Sequence, residues 1–262
     1  APRGDMMTPA IETHGLTRYF GDACAVAGID LRVERGTFYG FLGPNGAGKS
    51  TTIKMLTGLL APSEGQIRVL DRDMRDPRQS LEAKAHIGVI PENLALFDNL
   101  TAREYLTFVG RMHLLPRETI RQRSEELLAL LGLEGEDKKL TLEYSHGMKK
   151  KLALAAALLP NPDLLFLDEP FEGVDAVTSR IVRDLLAHYV GRGSTVFLTS
   201  HVLEIVERLC THVGIIVKGQ LVEQDSLAAI RKGGSLEDRF LERAGADQEA
   251  TQKLRWLEET AP

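Results

Sequence analysis

The chain has 262 residues, 43% of them hydrophobic, enough to bury a core in one domain with an insertion or in two small domains. The chain has a net charge of -5 at pH 7. Sequence-nonspecific nucleic-acid binders usually have an excess of basic residues, so we expect no nucleic-acid partner. Cys24 and Cys210 are the only cysteines. They form neither a disulfide framework nor a metal motif, which indicates a reducing compartment.

Membrane-spanning segments are not expected. The longest strongly apolar stretch, Leu152 to Leu159, is far shorter than the ~20 residues that cross a bilayer. The segment from Ala1 to Leu16 contains Arg3, Asp5 and Glu12 and no apolar core, so we expect no signal peptide. If the protein works at a membrane, we expect a partner chain to hold it there.

The first part of the sequence predicts short strands and one helix. Strands are expected over Ile11–Leu16, Ala23–Val33, Phe38–Leu42, Gln66–Leu70 and Ile87–Ile90. Helical character begins at Ser50 and continues to Leu60, where Ala61-Pro62-Ser63 ends it.

From Glu92 to Leu159 the pattern becomes helical. Thr101 and Glu104 form a capping-box pattern before an apolar run, and a second helix is expected after Pro116. A third helix is expected from about Gly147 to Leu159. Residues 92–159 are therefore predicted to form a helical insertion.

Strands return in the last part of the sequence, at Leu164–Leu167, Thr195–Thr199 and Val213–Val217, with a helix over about Ala176–Val190 between the first two. Strands that alternate with helices predict a mostly parallel sheet. From Asp225 the pattern is helical and charged, with a break at Gly233-Gly234. We expect a main domain over 8–225 and a helical C-terminal extension over 226–262.

The segment from Gly43 to Thr51 reads Gly-Pro-Asn-Gly-Ala-Gly-Lys-Ser-Thr and matches the phosphate-loop pattern in full. Glycines let the main chain fold closely around phosphate oxygens, and the following helix directs its positive dipole end to the same place. Lys49 supplies a charge for the β- and γ-phosphates, and the hydroxyl of Ser50 is a ligand for Mg²⁺. The residues expected to bind ATP here are Gly43, Asn45, Gly46, Ala47, Gly48, Lys49, Ser50 and Thr51.

The second motif is an apolar strand, Leu164–Leu167, followed by Asp168 and Glu169. By itself, this pattern is a weak signal, because a buried strand often ends in acids that face solvent or cap a helix. Beside a phosphate loop, Asp168 is expected to hold Mg²⁺, and Glu169 to orient or deprotonate the attacking water.

Between these motifs, Tyr144–Lys149 reads Tyr-Ser-His-Gly-Met-Lys, which resembles the signature of ABC-type ATPases, usually Leu-Ser-Gly-Gly-Gln. The resemblance covers roughly Ile11 to Glu223. It implies a P-loop NTPase fold of the α/β class, RecA-like, in which a parallel-sheet core carries an antiparallel β subdomain and the inserted α-helical subdomain.

The same resemblance assigns roles to residues outside the three motifs. Asp175 corresponds to the family's D-loop, and His201 to its switch histidine, which would contact the γ-phosphate. Phe20 matches the aromatic that stacks on adenine, with Tyr19 as the neighbouring alternative. A simpler interpretation of His201 is a buried histidine whose ring hydrogen-bonds to the main chain. Its position directly after a predicted strand favours a functional role.

The resemblance also implies how the protein works. Two such domains, in a homodimer or as paired ATPase domains, pack head to tail around two ATP molecules, so that Lys49 of one copy faces Ser145 and Gly147 of the other. ATP joins the pair and hydrolysis releases it, which drives a separate integral-membrane permease. The chain would then lie at the cytoplasmic face of the membrane, held there by the permease.

Three positions depart from the family pattern. Glu92 stands where a glutamine normally contacts Mg²⁺ and water; a carboxylate can ligate Mg²⁺ but, when ionised, cannot donate a hydrogen bond. His146 and Met148 replace a glycine and the glutamine of the signature. The variants resemble those of stand-alone bacterial ATPase subunits of exporters.

Two alternatives remain beside the transporter motor: a soluble ABC ATPase that acts in repair, translation or assembly, and a regulatory subunit that binds ATP but scarcely hydrolyses it. The short helical insertion and the single cassette favour the transporter. The lysine run Lys149–Lys151 is expected to be a solvated helix face.

Overall fold

The computed structural model describes residues 8–136 and 138–244 of the chain, and these form two β-sheets with surrounding helices. In chain order, the strands are β1 (Ile11–Phe20), β2 (Ala23–Ile29), β3 (Arg32–Val33), β4 (Phe38–Leu42), β5 (Glu64–Val69), β6 (Arg72–Asp73), β7 (Ile87–Ile90), β8 (Leu164–Asp168), β9 (Thr195–Ser200), β10 (His212–Val217) and β11 (Gln220–Ser226).

Helices connect most of these strands. They are α1 (Lys49–Leu56), α2 (Pro77–Lys84), α3 (Ala102–Met112), α4 (Arg117–Leu130), α5 (His146–Leu158), α6 (Ala176–Gly191), α7 (Leu203–Leu209), α8 (Leu227–Arg231) and α9 (Leu236–Ala244). Within the described ranges, none of them is both long and apolar enough to cross a membrane.

The central sheet has six strands in the order β11-β10-β4-β9-β8-β7. All neighbours in it are parallel except β11, which runs antiparallel to β10. Strands β4, β8 and β9 are buried along their whole length, as near-continuous apolar runs predict for the interior of a parallel sheet. The predicted mostly parallel sheet is confirmed.

The second sheet is antiparallel. Its order is β2-β1-β5-β6, with β3 paired to the start of β1. This confirms the antiparallel β subdomain. Strand β1 continues beyond the predicted Leu16 to Phe20, and the predicted strand over Ala23–Val33 is interrupted at Asp30 and Leu31.

Alternate residues of β4 enter two different hydrophobic clusters. Phe38 and Leu42 pack with α5, α6 and the helical insertion, whereas Tyr39 and Phe41 pack with α1 and the antiparallel sheet. Across the sheet, the ring of Phe197 stacks on Tyr39 with 5.5 Å between centroids. The central sheet is therefore covered on both faces, and its functional groups must lie at its ends.

Helices α3, α4 and α5 lie between β7 and β8 in the chain. The capping box at Thr101 and Glu104 starts α3, and Pro116 precedes α4, as predicted. Helix α5 contacts both α3 and β7, so it joins the insertion to the central sheet. The domain bounds 92–159 and 8–225 stay predictions.

Several elements differ from the sequence prediction. Helix α1 ends at Leu56 rather than Leu60, because Gly58 has a φ of 67° and the chain turns there. Asp225 still pairs with Val213 in β11, so helical structure begins at Leu227. Helices α2 and α7 and strands β6 and β11 were not predicted, because they are short and lack a strong apolar pattern. Residues 245–262 of the predicted extension lie outside the described residues.

Parallel strands of an α/β sheet present their carboxyl ends at one edge, where loops can form a ligand site. In this chain the loop between β4 and α1, the acids at the end of β8, and the segment after β9 all follow such ends. The phosphate loop, the pair Asp168 and Glu169, and the segment that carries His201 therefore meet at one edge.

Candidate nucleotide site

The loop between β4 and α1 has the conformation of a phosphate cradle. Gly46 and Gly48 have φ angles of 77° and 108°, which favour glycine. A Cβ on Gly48 would lie 2.6 Å from the main-chain oxygen of Ala25 in β2. The Lys49 ammonium donates to the main-chain oxygen of Gly43 at 2.7 Å, so it lies across the loop it belongs to.

The acids at the end of β8 are fixed by β9. The hydroxyl of Thr199 donates to Asp168 and accepts the main-chain N–H of Glu169 at 3.2 Å. Glu169 has a φ of 48°, unusual for a residue with a side chain, and its carboxylate lies 3.0 Å from Nδ1 of His201. Asp168 and Glu169 are buried, whereas about half of the His201 side chain is exposed. The arrangement places an oriented carboxylate at the cavity wall.

Glu92 reaches the same place from the segment after β7. The hydroxyl of Ser50 donates to its carboxylate at 3.2 Å. Among the described residues, no group of three or more His, Cys, Asp or Glu could hold a metal alone. Mg²⁺ normally takes only one or two carboxylates and shares phosphate oxygens and water, so the oxygen donors Ser50, Glu92 and Asp168 fit it.

One cavity of about 370 Å³ contains most of the predicted site. Of the predicted residues, it is lined by Asn45, Gly46, Ala47, Gly48, Lys49, Ser50, Thr51, Glu92, Asp168, Glu169 and His201. Sequence reasoning missed Ala25 and Glu172, which also line it. Nothing in the sequence indicates that Ala25 lines the site. Glu172 lies three residues after Glu169, and a second acid so close to the predicted base could have been recognised as a candidate site residue.

Four other predicted residues lie outside this cavity, and Gly43 lies at the base of its loop. A Cβ on Gly43 would collide with the main-chain oxygen of Ile216, so that position is structural as well. Phe20 is half-exposed at the end of β1, with the Arg18 guanidinium 4.8 Å from its ring centroid. The role of Phe20 in adenine binding stays a prediction.

The signature and D-loop residues begin two helices. Ser145 is the exposed N-cap of α5, where its hydroxyl accepts the N–H of Met148 at 3.2 Å, and Gly147 follows in the first turn. Asp175 is the N-cap of α6. Hydrogen bonds from the side chain and main chain of Thr178 hold the pKa of Asp175 below its usual value. Neither helix start contacts the nucleotide cavity of its own chain.

The expectation for the lysine run is wrong at its middle residue. Lys150 is buried, and its ammonium donates to the main-chain oxygen of Glu169 at 2.9 Å. Lys149 is solvent-accessible, as expected, and its ammonium lies 3.4 Å from the carboxylate of Asp98. The run alone gave no sign of this difference, because burial follows from how α5 packs on the sheet.

A phosphate loop on β4, acids ending β8 and a polar segment after β9 define a P-loop nucleoside triphosphatase. A family model described as ABC transporter matches residues 26–172. The chain is 37% identical over 242 residues to the daunorubicin resistance ATP-binding protein DrrA3 of Streptomyces coeruleorubidus, covering 92% of this chain and 76% of that protein. It is 38% identical over 227 residues to the bacitracin transport ATP-binding protein BcrA of Bacillus licheniformis, covering 86% and 72%.

Solved structures agree. An ATP-binding subunit of an ABC transporter matches with a TM-score of 0.84 at 27% identity, covering 90% of this chain and 99% of that one. The dimeric cassette MJ0796 matches in fold, with a TM-score of 0.77 at 24% identity, covering 83% and 98%. The chain belongs to the ABC transporter family; it is an ABC-type ATPase that binds and hydrolyses ATP.

Proposed function

We propose that the chain is the motor subunit of an ABC transporter of the exporter type, which drives a separate membrane permease from the cytoplasmic face. The names of its relatives support this: DrrA3 is a drug-resistance ATP-binding protein and BcrA a bacitracin-transport one. The observation that carries the enzymatic part is the Glu169–His201 pair in the cavity of the phosphate loop.

Within the site, each chain residue has a physical task. The main-chain N–H groups of the loop and the Lys49 ammonium bind the triphosphate oxygens. Ser50, Glu92 and Asp168 would hold Mg²⁺, which neutralises charge on the phosphates. Thr199 keeps Asp168 in place through its hydroxyl.

Glu169 is the proposed general base. Its carboxylate accepts a proton from the water that attacks the γ-phosphorus, while the bond from that phosphorus to the bridging oxygen breaks and ADP leaves. His201, 3.0 Å from the carboxylate, orients it and contacts the γ-phosphate. A closed site would exclude other water.

A second copy is proposed to complete the site. Ser145 and Gly147 lie at the start of α5 outside their own nucleotide cavity, and Ser145 is exposed. The N–H groups of a helix start attract anions, so these residues can bind the γ-phosphate held by another chain. Head-to-tail packing would bring them there, and it would make closure of the pair depend on ATP.

The permease is proposed to bind a mostly apolar groove of about 400 Å³ between β7, α3 and α5. Val89, Leu94, Tyr105 and Ala153 are among its lining residues. Pro91 also lines it, and Glu92 follows directly. Movement of a permease segment in this groove would therefore displace Pro91 and, with it, the adjacent Glu92 in the nucleotide site.

The enzymatic part is tested by steady-state ATP hydrolysis of the purified chain and of Glu169→Gln. We expect kcat of the variant to fall roughly 10²- to 10⁴-fold, because a positioned general base contributes that much. Affinity for ATP should persist. Equal rates for the two proteins would contradict Glu169 as the base and would favour a regulatory subunit.

The permease part is tested by isolating membranes from cells that produce the tagged chain. Leu59 is exposed and lines the groove, so Leu59→Asp should release the chain from the membrane while leaving its fold intact. Leu241→Asp is a matched control, because Leu241 is also exposed but lies on α9 outside the groove. Recovery of the unmodified chain in the soluble fraction alone, without a polytopic protein, would contradict a transport role.

A further inference from the structure

A buried lysine connects the signature helix to the segment that carries Glu169. Lys150 is the fifth residue of α5, and only 4% of its side chain is exposed. Its ammonium donates to the main-chain oxygen of Glu169 at 2.9 Å and lies 3.8 Å from the carboxylate of Glu172. Burial of a charged ammonium has a high cost, so this position needs compensating partners.

Those partners are the acids of the nucleotide site. Burial lowers the pKa of Lys150, and four carboxylates oppose that effect: Glu172, Glu169, Glu92 and Asp168. The ammonium of Lys150 therefore lies on the α5 side of these carboxylates, although Lys150 itself lines a different cavity. Lys49 is its counterpart on the phosphate-loop side.

The contact falls at a strained point of the main chain. Glu169 has a φ of 48°, a strained conformation for a residue with a side chain, and such a conformation persists only where neighbours hold it. Its N–H is held by Thr199 and its carboxylate by His201, both on the β9 side. Its main-chain oxygen accepts the N–H of Glu172 at 3.3 Å and the ammonium of Lys150, and Lys150 is the partner that holds the residue from α5.

We infer that Lys150 is a positioning residue for ATP hydrolysis, which fixes the peptide of Glu169 so that its carboxylate faces the attacking water. The inference rests on the proposed role of Glu169 as the base. Because Ser145 begins the same helix, Lys150 also ties the signature that contacts one ATP to the catalytic carboxylate at the other.

The test compares Lys150→Met, Lys150→Arg and the control Lys149→Met in the full chain. Lys149 has the same chemistry on the same helix, but it pairs with Asp98 at the surface. For Lys150→Met we expect kcat to fall about 10- to 100-fold with the KM for ATP within about twofold, because a displaced catalytic group loses rate rather than substrate affinity. Lys150→Arg should recover most of the rate, since a guanidinium can donate to the same oxygen.

A double substitution separates positioning from general stability. In a Glu169→Gln background, Lys150→Met should lower the residual single-turnover rate by less than about twofold, because the group it positions is already gone. An equal fold-loss in both backgrounds, or a raised KM at unchanged kcat, would overturn the inference. Should Lys150→Met fail to fold by circular dichroism, Lys150→Leu carries the same comparison, because leucine also lacks a donor.

Unchanged activity of Glu169→Gln would remove the role of the base and, with it, the reason for positioning. A strong loss in Glu169→Gln together with full activity in Lys150→Met would leave the base in place and refute Lys150 alone.

Discussion

The conformation of the phosphate loop is tested by adding one methyl group at two glycines. Gly48 has a φ of 108°, and a Cβ there would lie 2.6 Å from the main-chain oxygen of Ala25. Gly46 has a φ of 77°, but a Cβ there would meet nothing within 4 Å. The two positions share backbone strain and differ in contact with β2, so Gly46→Ala is the matched control for Gly48→Ala.

The expected magnitudes follow from these two contributions. A side chain at positive φ costs about 1–2 kcal/mol, which is the whole effect expected for Gly46→Ala on the free energy of unfolding. Overpacking against the rigid strand adds about 1–3 kcal/mol, so Gly48→Ala should lose about 2–5 kcal/mol. Urea denaturation without nucleotide, followed by circular dichroism, measures both.

Nucleotide binding gives a second readout. At a hundred times Kd, a ligand stabilises the chain that binds it by about 2.7 kcal/mol. Mg-ATP should give the unmodified chain this gain and Gly48→Ala little of it, because the loop must shift to admit the methyl group. Equal destabilisation by the two alanines, with ATP stabilising both variants fully, would refute this description of the loop.

Three further outcomes follow from the site. His201→Ala should lower kcat of ATP hydrolysis about 10²-fold, because Glu169 loses its orienting partner, and should raise KM less than it lowers kcat, because one γ-phosphate contact is lost; an unchanged kcat would contradict this. Thr199→Val should cost about 1–3 kcal/mol in urea denaturation, because it leaves Asp168 and the Glu169 N–H without a buried partner; an unchanged midpoint would contradict it. Since hydrogen bonds lower the pKa of Asp175 in the folded chain, its charged form stabilises above the ordinary aspartate pKa, and this contribution is lost as pH falls through the lowered value. Asp175→Asn should therefore have a lower melting temperature at pH 7 and converge on the unmodified chain in acid; a constant difference would contradict the assignment.

The fold could be predicted where local patterns were strong. Buried runs such as Phe38–Leu42 and Leu164–Leu167 indicate strands of a parallel sheet, and the capping box at Thr101 marks a helix start. Helix α2 has a helix signal in Asp76 followed by Pro77, but almost no apolar face. Strand β11 is largely exposed at the edge of its sheet, so few of its residues had to be hydrophobic.

The nucleotide site was predictable to the extent that its residues are contiguous in the chain. The phosphate loop and the pair Asp168 and Glu169 form short motifs, and the structure brings them together with Glu92 and His201. The burial of Lys150 was not predictable, because the sequence does not distinguish three consecutive lysines. Which of them is buried depends on how α5 packs against the central sheet. Ala25 lines the cavity only because the second sheet folds over the loop.

A triphosphate is expected to bind the main chain between β4 and α1. Isothermal titration of the full chain with Mg-ATP, beside Lys49→Ala, tests it most directly, with circular dichroism to verify that the variant is folded. We expect specific binding by the unmodified chain and at least about tenfold weaker binding by Lys49→Ala, which loses a charge-assisted hydrogen bond of about 1.5–3 kcal/mol. Equal affinity in the two proteins, or no specific binding by the unmodified chain, would contradict the account.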